Sequence, residues 1–261
     1  PPAAPPAPAP PGPRPRISAV SAARLFASVC AGAPALSPAR ARPSPARLSA
    51  MRLVIAGTDT DVGKTVVSAL VVQGLGARYW KPVQSGLAEG SDSERVRELL
   101  HLPPGRILPE AYRLRAPVSP HWAAEQDGVV IDPAALALPE GEGPLVVECA
   151  GGLLVPLRRD SGPGALQIDQ LARWALPVLL VARSGLGTLN HTLLSLEALR
   201  QRAIPVLGLV LNGPLHPDNP RTLEAFGGVP VLAQLPPLDP LTASALRAQW
   251  HASALPPKLA P

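Results

Sequence analysis

Residues 52–75, RLVIAGTDTDVGKTVVSALVVQGL, decide the fold. An apolar run of strand length, 52–57, enters a loop bearing Gly57 and the triplet Gly63-Lys64-Thr65, and the residues that follow carry helical spacing. In a strand, glycine-bearing loop and helix, backbone N–H groups at the helix start face phosphates, a lysine reaches their outer oxygens, and the threonine hydroxyl is free to ligate Mg²⁺. The usual G-x-x-x-x-G-K-[ST] spacing would put the first glycine at position 58; that residue is Thr58, and Gly57 stands one place early.

Outward from this stretch, short apolar runs alternate with helix-period segments. Strands are expected near 52–57, 78–82, 145–150, 177–182, 206–211 and 230–235, and helices near 64–75, 92–100, 168–174, 188–202, 219–226 and 241–250. The runs LVVECA and PVLLVA are apolar on both faces, the pattern of strands covered by helices on each side of a parallel sheet. The expectation is a single α/β domain over 51–250, a mainly parallel sheet flanked by helices and P-loop NTPase-like, with a short Pro-rich tail at 251–261. The Pro- and Gly-rich stretch 103–144 reads as loops with short pieces of structure. In such sheets ligands bind beyond the carboxyl ends of the strands, so chemistry is sought just after each apolar run.

The formal charge of +5 suggests a nucleic-acid partner until it is resolved by position. Residues 1–50 hold six arginines and no Asp, Glu or Lys, whereas 51–261 hold 18 basic against 19 acidic residues. The remainder is near neutral and needs no basic groove. Residues 1–50 also carry 13 of the 36 prolines, and the only methionine, Met51, directly precedes the first apolar run. They read as an upstream extension of a chain starting at Met51, disordered or polyproline-like, or as an Arg- and Ala-rich targeting peptide. The best apolar run elsewhere, around 176–182, is of strand length and too short to span a bilayer. Two cysteines, Cys30 and Cys149, make no disulfide framework, which fits a soluble protein of a reducing, cytoplasmic compartment. The five histidines show no metal-site spacing.

Of 24 basic residues only three are lysine: Lys64, Lys81 and Lys258. A chain that uses arginine so freely but keeps lysine in Gly-Lys-Thr needs a compact point charge, which a planar guanidinium does not supply. Lys81 closes the second expected strand in WKPVQSG, at the same sheet edge as Lys64, and reads either as a second phosphate-facing lysine or as an exposed strand-end residue. Asp92 lies ahead of a helix and reads as a metal ligand or an N-cap, a role Ser91 or Ser93 could also fill. Glu148 ends the apolar run LVVE. An acid there is costly unless paired or metal-bound, so a Walker-B-like ligand is favoured. Thr65, Asp92 and Glu148 would together make a hard oxygen site for Mg²⁺. Asn212 is placed to read a base edge, or is a turn residue before Gly213-Pro214.

The stretches GTDTDVGKT (57–65), KPVQSG (81–86), PVSPHWAAE (117–125), ECAGGLLVPL (148–157), GLGTLNHTLLSLEALR (185–200) and VLAQLPPL (231–238), with Asp92 and Asn212, resemble the dethiobiotin synthetase family. Those enzymes are ATP-dependent carboxylases that close the ureido ring of biotin. The resemblance covers nearly all of 51–250 and none of 1–50. It implies a reaction of 7,8-diaminononanoate, CO₂ and ATP with Mg²⁺. A carbamate on one amine attacks the γ-phosphorus, and the second amine closes on the mixed anhydride. It implies Lys81 and Lys64 as catalytic residues and Ser85 as a substrate contact. The nucleotide site it implies is Asp61, Val62, Gly63, Lys64, Thr65, Val66, Asp92, Glu148, Cys149, Ala150, Gly151, Asn212, Leu235, Pro236 and Pro237. Thr65, Asp92 and Glu148 would hold the metal. Gly187, Thr188, Leu189 and Asn190 would reach across a homodimer to the substrate carboxylate, with no nucleic-acid or membrane partner. Two departures are Asp61, where the family has the longer Glu, and Cys149, where it has Gly.

Two rivals share the phosphate loop. Partition or division-site ATPase switches carry an extra lysine five residues before the Gly-Lys lysine, and here that residue is Asp59. Amidotransferase-linked ligases of cobalamin synthesis carry a further domain, for which the residues after Trp250 leave no room.

Overall fold

The first strand, β1 (Arg52–Gly57), sends alternate side chains into two separate apolar layers: Leu53 and Ile55 into one, Val54 and Ala56 into the other. That two-sided burial is why the run reads as continuous apolar sequence rather than as an alternation. The computed structural model describes residues 51–259. Both expectations for residues 1–50 lie outside the described residues.

The remaining elements are α1 (Lys64–Leu75), β2 (Arg78–Trp80), β3 (Val83–Ser85), α2 (Asp92–Leu100), β4 (Ile107–Leu108), β5 (Tyr112–Leu114), α3 (Pro120–Gln126), a 3₁₀ turn (Pro133–Leu136), β6 (Leu145–Gly152), α4 (Gln167–Trp174), β7 (Val178–Arg183), α5 (Thr188–Gln201), β8 (Val206–Asn212), α6 (Asn219–Gly227), β9 (Val231–Leu235), α7 (Ala243–Ala252) and α8 (Leu255–Leu259). Seven strands form one sheet in the order β4-β2-β6-β1-β7-β8-β9, and every neighbouring pair is parallel. The α/β reading with a parallel sheet flanked by helices is therefore the fold observed.

One layer packs α1, α2, α7 and α8 on the sheet through residues such as Leu70, Val96, Trp250 and Leu259. The other packs α3 to α6 through Ala123, Leu171, Leu196 and Leu223. Helix α1 meets α7 at Gly74, where a Cβ would stand 2.3 Å from the Trp250 indole, so only glycine admits that approach. In the second layer the Trp80 and Trp174 rings sit 5.9 Å apart at 59°, and each indole N–H donates to a backbone carbonyl, of Pro109 and Leu136 respectively.

Three local expectations are corrected. The strand expected over 78–82 stops at Trp80, because Pro82 has no N–H for the ladder; its carbonyl instead accepts from Tyr112 N at 3.0 Å. The chain then resumes as β3, which pairs in parallel with β5 in a separate two-stranded sheet. The helix expected over 241–250 begins at Ala243, since the Thr242 side chain caps it by accepting from Ala245 N at 3.2 Å. Beyond it, in the stretch read as a Pro-rich tail, α8 buries Leu255 and Leu259.

Candidate active site

The carboxyl edge of β6, β1 and β2 opens into a cleft of about 820 Å³ lined by Lys64, Thr65, Lys81, Asp92 and Glu148. The loop between β1 and α1 forms one wall. Gly57 stands where a Cβ would meet Asp59 O, the Lys64 stem and Val62 at 2.9 Å, which explains why this loop needs its glycine at 57 rather than 58. Gly63 takes φ +93° at the helix start, and a Cβ there would lie 2.0 Å from Asn212 Nδ2. No side chain caps α1, so its leading N–H groups face the cleft as anion donors. Asp61, at φ 56°, completes the loop in a conformation that Asp tolerates better than most side chains.

Lys64 is buried and folds back on the loop, donating to Asp59 O at 2.7 Å. Its burial lowers the ammonium below its ordinary range; Glu148 opposes that shift and Lys81 adds to it. Lys81 lies in the joint between β2 and β3, 5% exposed, and donates to Asp92 Oδ2 and, at 3.1 Å, to Glu148 Oε1. Burial disfavours its charge, but Glu148 and Asp92 outweigh burial and hold the ammonium above its ordinary range. The Thr65 hydroxyl donates to the same Glu148 Oε1 at 3.0 Å. Asp92 is not the N-cap of α2: Ser91 is, in a capping box with Glu94, which leaves the Asp92 carboxylate to face Lys81. Burial works against that carboxylate, yet Lys81, followed by Arg95, brings its pKa below the usual range.

Two carboxylates and a hydroxyl thus converge beside a lysine. This all-oxygen donor set could hold a hard dication such as Mg²⁺. Among the described residues no cluster of three or more His, Cys, Asp or Glu side chains does the same.

The other expected residues take different places. Ser85 lines the cleft with Oγ buried and without a hydrogen-bond partner, so an acceptor or donor group on a ligand has a place to bind. Ala150 and Gly151 line the cleft, whereas the Cys149 side chain is buried in an apolar layer and does not line it; burial pushes its thiol up to about 12. Only its backbone can face a nucleotide. Val62 points into the core while its carbonyl accepts from Asn212 Nδ2 at 3.1 Å; Val66 packs against the core. Asn212 pairs with Leu235 at the end of β8 and β9, which brings Leu235, Pro236 and Pro237 to the far side of the phosphate loop. Asn212 Oδ1 is left to meet a ligand, its amide being partly spent on the loop. Gly187, Thr188, Leu189 and Asn190 start α5 and do not line this cleft.

Three residues not singled out from sequence complete the site. Tyr79, fully buried, donates to Glu148 Oε2 at 3.0 Å. Gln84 donates to Ser85 O and Gly86 O, each at 3.1 Å, and accepts from Asp92 N at 3.2 Å, so one amide ties the substrate-side turn to the start of α2. Arg183 donates to Asp59 Oδ2 and Thr60 O, both at 3.2 Å, and braces the phosphate loop against β7. Tyr79 carried a signal: it stands two places before Lys81, the spacing that puts two residues on one side of an extended chain.

A family model described as an AAA domain matches residues 51–245. The ATP-dependent dethiobiotin synthetase of Rhodopseudomonas palustris (strain HaA2) is 56% identical over 198 residues, 76% of this chain and 91% of the relative. The same-named proteins of Rhizorhabdus wittichii and Afipia carboxidovorans are 53% and 52% identical, covering 80% and 77% of this chain and 98% and 95% of theirs. Among solved structures, the septum site-determining protein MinD of Pyrococcus horikoshii OT3, complexed with Mg-ADP, matches at TM-score 0.46 and 14% identity over 77% of this chain and 86% of that one. More than half of the aligned residues are shared with relatives matched over nearly their whole length, so the chain belongs to the ATP-dependent dethiobiotin synthetase family.

Proposed function

We propose that this chain carboxylates 7,8-diaminononanoate with CO₂ at the expense of ATP and closes the ureido ring of dethiobiotin, releasing ADP and phosphate. The observation that carries the reading is the convergence of Lys64, Lys81, Thr65, Asp92 and Glu148 in one cleft at the carboxyl edge of the sheet. Negative charge builds on the transferring phosphoryl group and on the carbamate. Fixed cations aimed at the developing charge are the main catalytic means for such a step, and no side-chain nucleophile is required.

In this reading the N–H groups at the start of α1 and Lys64 hold the nucleotide phosphates, while Lys81 meets the carbamate and the γ-phosphoryl group. Thr65, Asp92 and Glu148 hold Mg²⁺, which when bound neutralises charge on the phosphate oxygens. Ser85, with its free Oγ, contacts the diamine. Asn212 with Leu235 to Pro237 flanks the base.

The dimer is part of the same proposal. Leu186 is fully exposed immediately before Gly187 and Thr188, and Leu194 on α5 and Leu154 after β6 are also exposed. Leu186 and Leu194, before and on α5, suit burial against a second copy, which would bring Gly187 to Asn190 to the partner's substrate. A reducing, cytoplasmic setting fits the free, buried Cys149.

The test is the rate of ADP release by the full chain as the diamine is titrated at saturating ATP, Mg²⁺ and bicarbonate. ADP release that rises from near zero and saturates with diamine is the expected result. An ATPase rate indifferent to the diamine would replace the synthetase reading with a nucleotide switch.

A further inference from the structure

Glu148 and Asp92 already share a cation. The Lys81 ammonium donates to both, and its side chain is 7% exposed. Glu148 Oε1 accepts from Thr65 as well as Lys81, and Tyr79 donates to Oε2, so both oxygens of this buried carboxylate are engaged. Lys64 lines the same cleft but is turned aside to Asp59 O and forms no ion pair with either carboxylate. The two lysines therefore stand in unlike relations to the acids: one sits on them and the other only feels their field.

We propose that Lys81 and the divalent cation are alternative occupants of one carboxylate pair, so that binding of the metal with its nucleotide drives the Lys81 ammonium off Asp92 and Glu148 and into the cleft. The inference rests on the assignment of Thr65, Asp92 and Glu148 to the metal. Two carboxylates balance either one dication or, in part, one ammonium; with both cations at contact distance, like charges repel without enough anion to screen them. A lysine can make this exchange because its charge sits on a flexible four-carbon stem, and Lys81 already borders the open cleft. Tyr79 does not move with it: its bond to Oε2 holds Glu148 in place while the other oxygen changes partner. The catalytic ammonium is thus kept on the protein's own acids until the phosphoryl donor arrives.

Mn²⁺, titrated by electron paramagnetic resonance into the full chain without nucleotide, separates the possibilities. Removing the competing cation by Lys81→Met should tighten Mn²⁺ binding by about tenfold or more, since loss of one contact charge is a large term at a buried site. Lys64→Met, which removes a charge in the same cleft that touches neither acid, should change it by less than about threefold. Glu148→Gln should abolish binding. Unchanged or weaker Mn²⁺ binding in Lys81→Met, or an equal gain in both lysine variants, overturns the exchange while leaving the metal assignment intact. Wild-type affinity in Glu148→Gln overturns the metal assignment itself. If Lys81→Met does not fold, the wild-type protein decides: the ¹⁵Nζ resonance of the carboxylate-bound lysine should vanish when Mg²⁺ and a non-hydrolysable ATP analogue are added, and its persistence overturns the proposal.

Discussion

The two ends of the seven-stranded sheet both carry partly or fully buried charge, and they neutralise it differently. At the amino end Arg52 of β1 and Arg78 of β2, on either side of β6, each donate from one guanidinium nitrogen to a backbone carbonyl, of Pro139 at 2.7 Å and Glu140 at 2.8 Å. Burial, with Arg78 beside it, lowers the Arg52 pKa, and neither arginine forms an ion pair among the described residues. At the carboxyl end the Lys81 ammonium and the Asp92 and Glu148 carboxylates neutralise one another where β2, β6 and α2 meet. A cation bound to a carbonyl is held by a neutral partner and has no charge to exchange. Ammonium and carboxylate in a shared cluster can trade partners with incoming ions, and this is where chemistry is expected.

That contrast can be broken most severely at Lys81. Lys81→Ala should lower turnover by at least about 10³-fold while nucleotide affinity, measured by calorimetry without divalent cation, changes by less than about threefold. Equal loss of both would make Lys81 a phosphate clamp. Glu148→Gln should come next, with kcat/KM lowered by about 10²-fold in steady-state assays and no recovery on raising Mg²⁺ a few-fold. Tyr79→Phe leaves Glu148 Oε2 buried without a donor and should cost about 1–3 kcal/mol. In differential scanning calorimetry that corresponds to a Tm lowered by about 2–4 °C per kcal/mol. At the opposite end, Arg78→Ala should leave kcat/KM within about twofold and shift stability by no more than about 1 kcal/mol in urea unfolding. A large kinetic effect from Arg78 would erase the distinction between the ends. The smallest expected signal is at Cys149: with its thiol pushed up to about 12, about one molecule in 10⁴ carries thiolate at pH 8. Iodoacetamide should therefore leave Cys149 unlabelled in peptide maps of the native protein.

What could be read from sequence follows the range of the interactions involved. Helix α1 was legible to its ends because Gly63 and Gly76 take left-handed φ on either side of it, and α2 because Ser91 and Glu94 make a capping box within four residues. Each signal is local. The three-residue strands β3 and β5 were not legible, since their pairing joins Val83 to Tyr112 and depends on tertiary context rather than on propensity. The same holds within the site. Lys64 and Thr65 stand out by motif, and Glu148 by the cost of an acid at the end of a buried strand. The bonds from Tyr79, Thr65 and Lys81 to that acid join residues 67 to 83 places apart, and no pattern along the chain encodes them. Cys149 illustrates the remaining gap: Glu148, Ala150 and Gly151 line the cleft, whereas its own side chain is buried in the apolar core, which the motif alone does not show.

The central claim is that the carboxyl-end cluster serves ring closure on a carboxylated diamine. The most direct measurement supplies ¹⁴CO₂ to the full chain with ATP and Mg²⁺, with and without 7,8-diaminononanoate, and counts the label that survives acid. A carbamate loses its CO₂ in acid and a ureido carbonyl keeps it, so the account predicts acid-stable counts only with both ATP and diamine, equal to the ADP formed. Steady ATP hydrolysis with no acid-stable label would contradict it.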